Sequence, residues 1–178
     1  MNIKKIRNYQ IFSIIFTFIL GTLLHFTYKL SGENQIVAIF SSINESVWEH
    51  LKLLYFPILL TIIIGYFYIG KDIPNFICVK TLGIIVAMAF IVIFFYTYTG
   101  ILGKSIPAID IASFFIATIL GEFTAYVLIV NKFKCNNNVV AIIVLIIIFI
   151  CSIVFTFYTP NIGIFKDPVT GQYGIPKK

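Results

Sequence analysis

Residues 11–28, IFSIIFTFILGTLLHFTY, decide the fold, because they follow the basic start MNIKKIRNYQ and read either as a secretory signal core or as a first membrane span. The run is too long for a usual signal core and no small-x-small cleavage site follows it. It is therefore read as a retained span. Outward from it, four more apolar runs follow at Leu51–Gly70, Cys78–Tyr98, Ile106–Val130 and Val139–Tyr158. Each has about 20 residues or more, enough for about 30 Å of hydrocarbon at about 1.5 Å per residue.

Composition points the same way. Of 178 residues, 60% are hydrophobic and 11% charged, against roughly a quarter charged in ordinary soluble domains. A lone soluble domain of this size has too little interior for so much apolar surface. A soluble globular protein, a disordered chain and a disulfide scaffold are all excluded. The expected fold class is all-α: a polytopic transmembrane helix bundle of five spans over residues 1–158, with an outer amphipathic helical extension on span two. Residues 159–178 form an extracytoplasmic tail. Its D-P and T-G turn signals, with Ile164, Phe165 and Tyr173 between them, leave two outcomes open: a cap folded over the outer mouth, or a free tail.

The net charge of +6 comes from basic residues lying between apolar runs. This placement reads as topology and lipid contact rather than a nucleic-acid footprint. With the amino terminus cytoplasmic, Lys4, Lys5, Arg7, Lys71, Lys80, Lys132 and Lys134 fall inside, and Lys29, Lys52, Lys104 and Lys166 outside. Lys177 and Lys178 lie too far past the last span to weigh. Seven against four favours an inside amino terminus in the cell membrane and an outside carboxyl terminus. Cys78, Cys135 and Cys151 are widely separated and lack a C-x-x-C spacing, so they are expected to be unpaired.

The stretch 41–57, SSINESVWEHLKLLYFP, carries the most chemistry. Ser42 and Glu45 read as an S-x-x-E capping box opening a helix near Ile43, which Pro57 should kink. On that helix Glu45, Glu49 and Lys52 share an arc, with His50 beside them. They read either as solvated interfacial charges, with Trp48 in the aromatic belt, or as the lining of an outward-facing site. Span one sets Ser13, Thr17, Gly21, His25 and Lys29 at steps of four, and span four sets Ser113, Ala117, Gly121 and Ala125 likewise; the two small faces are expected to pack together.

Ionisable residues at membrane depth tend to face the bundle interior and a partner. The candidate polar site is therefore His25, Glu45, Glu49, His50, Asp110 and Glu122. Glu122, with no basic residue near it in its span, is expected to be buried and largely neutral. His25 comes out about 8 Å deeper than His50, a gap that a tilt or the Pro57 kink would have to close before both histidines could hold one metal.

H-E-x-x-H, G-x-S-x-G, a Walker loop and C-x-x-C are all absent, which removes the common zincin, serine hydrolase and nucleotide-dependent readings. The string NESVWEHLKLLYFP, with YTGILGK before span four and FKDPVTGQYG near the end, resembles a family of small bacterial polytopic membrane proteins of uncharacterised function. The resemblance implies this layout and no activity.

Three functions fit the sequence. The first is an accessory, sensor or binding protein with an outward-facing polar site, contacting a membrane protein partner or a second copy. The second is a small metal-dependent membrane hydrolase with Glu45 or Glu49 as catalytic base. Its metal candidates are His25, Glu49, His50 and Asp110, whose carboxylate and imidazole groups suit a divalent metal such as zinc or manganese. The third is an ion-coupled transporter component in which Glu122 and His25 relay protons.

Overall fold

A computed structural model describes residues 2–135 and 137–176 of the chain. Six α-helices follow one another: α1 (Ile3–Leu30), α2 (Gln35–Ala38), α3 (Val47–Tyr68), α4 (Phe76–Leu102), α5 (Pro107–Val130) and α6 (Asn138–Phe157). All but α2 are long and apolar enough to cross a membrane, and together they form an all-α, multi-pass bundle. Lys177 and Lys178, set aside in weighing orientation, lie outside the described residues.

The bundle is apolar outside as well as inside. Ile15, Ile19 and Leu23 on α1 and Ile143, Ile147 and Ile150 on α6 are exposed, as lipid-facing positions should be, since hydrocarbon gives no reason to hide them. Every backbone polar group at this depth must pair within the protein, and the helix ends show how. Gly103 ends α4 in the left-handed conformation at φ 73°, its N–H on Thr99 O. Pro107 then opens α5 at a position that needs no N–H. This tight connection sets α4 and α5 antiparallel and adjacent.

Their contact is close because both helices offer glycine. A Cβ at Gly83 would stand 2.5 Å from Gly121 O, and one at Gly121 would stand 2.7 Å from Gly83 O. The small face of α5 thus meets α4 at its glycine. Helices α1 and α5 do pack, with Ser13 on Glu122 and Gly21 on the Phe114 ring, but the expected meeting of their two small faces is corrected, because Gly83 sits alone in an apolar run and gives no stripe to read. Gly21 instead faces Leu53 O, whose usual helical donor is missing at Pro57, and the ring of Phe114. Gly83→Ala is expected to cost about 1–3 kcal/mol, because the methyl meets backbone that cannot step aside. Gly100→Ala, with nothing within 4 Å, should be neutral or slightly stabilising. Unfolding of both variants in mixed micelles measures the contrast.

Helix α3 starts at Val47 rather than Ile43. Two S-x-x-E frames follow one another in SSINESVWE, and the second wins: Ser46 is the N-cap and accepts from Glu49 N at 3.4 Å. The residues from Ile43 up to it form no helical turn standing clear of the bundle. Ala38, Ser41 and Ile43 are almost wholly buried, so the link from α2 to α3 dips into the bundle, where irregular backbone is tolerated because protein surrounds it.

Cys78 at the start of α4 and Cys135 after α5 are joined in a disulfide with Cα atoms 6.3 Å apart. The sequence expectation of three unpaired thiols is corrected for these two. Their separation of 57 residues hid a neighbourhood that the antiparallel α4 and α5 create. Cys151 is free.

Candidate metal centre

Three polar side chains meet where α1, the buried link and α3 converge. His25 lies five residues before the end of α1, Glu45 just ahead of the Ser46 cap, and His50 in the first turn of α3. The Nε2 atoms of His25 and His50 each lie 3.4 Å from the same oxygen, Glu45 Oε2. The two imidazoles stack with centroids 5.6 Å apart and planes 13° from parallel. The 8 Å depth gap inferred from the sequence is closed: α3 starts at Val47 beside the His25 turn of α1, which puts His50 against His25.

One donor atom from each of His25, Glu45 and His50 lies within 4.8 Å of the other two. Donors spaced between 3.4 and 4.8 Å enclose a point about 2 to 2.5 Å from each, close to the length of Zn–N and Zn–O bonds. The side chains keep 30%, 38% and 24% of their surface exposed, so one side of the cluster opens to solvent. Hydrogen bonds from His25 and then His50 hold the Glu45 carboxyl well below the usual carboxylate range, against the opposing push of partial burial. Glu45 is therefore ionised at neutral pH. Its contribution to stability is present above the ordinary carboxylate pKa and is lost as pH falls through the lowered one.

The cluster is held by the residues around it. Ser41 Oγ accepts Tyr28 N–H at 2.9 Å and donates to Leu24 O, so it sits between the two groups that the α1 ladder would otherwise pair. That anchors the link beside the His25 turn. Asn44 Oδ1 accepts Ser46 N–H at 2.9 Å, and Asn44 Nδ2 donates to Gly174 O at 2.8 Å. The tail packs here as well, with Phe165 against Trp48 and Phe155. Trp48 belongs to this aromatic cluster.

Glu49 turns away from the histidines. It is buried, accepts Ile43 N–H at 3.0 Å and pairs with Lys52 at 2.7 Å. Lys52 Nζ donates in turn to Ala38 O at 2.9 Å and Thr156 Oγ1 at 2.7 Å. This pair ties α2, the link and α6 to α3, which fixes the backbone that carries Glu45. Asp110 accepts from Tyr98 OH, whose oxygen also takes Ile106 N–H at 3.2 Å. It lies within electrostatic reach of His50 and Glu45 and outside the three-donor cluster.

Glu122 lies apart, toward the amino-terminal face. Lys80 Nζ donates to its Oε1 at 2.6 Å, and Ser13 Oγ lies 2.7 Å from the same oxygen. Lys80 also reaches Gln10 Oε1 at 3.3 Å and the face of the Tyr9 ring at 5.1 Å. The expectation of a carboxyl with no cation beside it is corrected: its cation comes from another helix. Lys80 had been counted with the headgroup lysines, yet it and Lys52 are 1% exposed. Each stands at the start of an apolar run, which is the one signal that could have marked it.

A family described as a family of unknown function (DUF6512) matches residues 1–175. No curated protein and no solved structure matches the chain.

Proposed function

The chain belongs to that family, which assigns it no activity, and from the geometry we propose that it is a membrane protein built around a divalent-metal centre formed by His25, Glu45 and His50. The observation that carries this is the pair of imidazole nitrogens, both 3.4 Å from one carboxylate oxygen. Two imidazoles and a carboxylate suit zinc or manganese. Three protein ligands with a solvent-open side is the arrangement of catalytic zinc sites, which keep a position for water or substrate. Purified protein should carry close to one equivalent of zinc or manganese by elemental analysis. Absence of metal after purification and after reloading would end the proposal.

Metal-dependent hydrolysis is the second reading, favoured by Asp110: a further carboxylate, held by Tyr98 and within electrostatic reach of His50 and Glu45, would serve to orient or deprotonate a bound water.

The centre is assigned to the extracytoplasmic side of the cell membrane. With buried Lys52 and Lys80 removed from the count, Lys4, Lys5, Arg7, Lys71, Lys132 and Lys134 stand at the amino-terminal face, against Lys29, Lys104 and Lys166 at the other. Six against three favours a cytoplasmic amino terminus. Persistent disulfides are rare in a reducing compartment, so with this orientation the Cys78–Cys135 bond of the structure is the oxidised form of a pair kept as thiols in the cell. Single cysteines at Ser31 and Lys166, in a cysteine-free background, should label with an impermeant maleimide in intact cells. Labelling only after lysis, or an intact Cys78–Cys135 bond in cells trapped with acid, would reverse the assignment.

A further inference from the structure

At the amino-terminal face, a groove runs between α1 and α3, lined by Asn8, Tyr9, Phe12, Ile64 and Tyr68. Its two walls follow helical spacing, Lys5, Asn8 and Phe12 on α1 and Ile64 and Tyr68 on α3. Lys5 is fixed at its mouth: Nζ donates to Tyr68 O at 2.8 Å and lies 4.4 Å from the centroid of the Tyr68 ring. That leaves the ammonium with hydrogens to spare at headgroup level. Deeper in, Phe12 and Ile64 are 45% and 46% exposed, so the groove becomes wholly apolar about 10 Å below Lys5. Polar donors at one end and an open apolar trough at the other match an amphiphile lying along the helix axis.

Charge selects which amphiphile. Lys4, Lys5, Arg7, Lys71, Lys132 and Lys134 share this face with a single acid, Asp72, among the described residues. A zwitterionic headgroup would bring its own cation into that field. We propose that the groove is a binding site for an anionic glycerophospholipid, its phosphate on the Lys5 ammonium and the Asn8 amide and one acyl chain along Phe12 and Ile64. The site is independent of the metal centre, which lies at the opposite face.

The test uses the full-length protein in detergent, titrated with phosphatidylglycerol or phosphatidylcholine and read by native mass spectrometry of bound lipid. The phosphatidylglycerol adduct should be favoured, and Lys5→Gln should reduce that preference about fivefold, the effect of one headgroup-level cation. Asn8→Ala, an exposed change that leaves every charge in place, should also weaken the adduct. Lys29→Gln and Lys104→Gln, at the other face, should leave it unchanged, and soluble glycerol 3-phosphate should not compete, since it lacks the chain. Equal binding of the two lipids, an equal loss in Lys29→Gln, or full competition by glycerol 3-phosphate would each overturn the site.

Discussion

Replacing Lys80 by Met is expected to lower stability by about 3–5 kcal/mol, because Glu122 would be left buried with no cation to answer it. Glu122 is 2% exposed and Lys80 1%, so neither can turn to water when its partner is removed. The double variant Lys80→Met with Glu122→Met should recover most of the loss, since replacing a whole buried pair by apolar groups of similar volume is often neutral or stabilising. Lys71→Met, an exposed change on the same face, should stay within about 0.5 kcal/mol. Chemical unfolding in mixed micelles reads all three, and a Lys80→Met variant as stable as Lys71→Met would show that the pair holds nothing in place.

The second large effect concerns the centre. If His25, Glu45 and His50 bind zinc, metal at about 100 times its dissociation constant adds about 2.7 kcal/mol of stability. For a chain of this length that is a rise of about 5–10 °C in melting temperature. His50→Ala and His25→Ala should each abolish the rise, because losing a ligand costs more than the 10- to 100-fold typical of losing a group that merely orients one. Cys151→Ser should keep it, as Cys151 lies on α6 and outside the donor cluster. A histidine variant that retained the full shift would place the metal elsewhere.

The spans were legible because each is a long apolar run, a signal that composition carries by itself. The histidines were legible as ionisable residues inside or beside such runs. What could not be read was which acid would join them. On one continuous helix from Ile43, Glu45 and Glu49 are neighbours on one face, and the sequence puts Glu49 rather than Glu45 among the metal candidates. Once the cap is Ser46, Glu45 falls in the bend ahead of the helix and meets His25 and His50, while Glu49 stays in the helix and turns inward to Lys52. A shift of four residues in a helix start thus decided the donor set. Lys80 and Glu122 were hidden for another reason: an ion pair across two helices leaves no local pattern, and their 42-residue separation is bridged only when Gly83 and Gly121 bring α4 and α5 together.

The motif residues make sense as one device. Asn44 ties the link to the tail, Ser46 caps α3, Trp48 seats the tail aromatics, and Glu49 with Lys52 clamps the backbone. Glu45 and His50 are left facing His25 and the solvent.

X-ray absorption at the zinc edge of the metal-loaded, full-length protein reads the donors of the His25, Glu45 and His50 centre. The expected first shell is nitrogen and oxygen at about 2.0–2.2 Å, with the outer scattering of two imidazoles and no sulfur. A protein that retains no zinc, or a shell containing a Zn–S distance of about 2.3 Å, would contradict it.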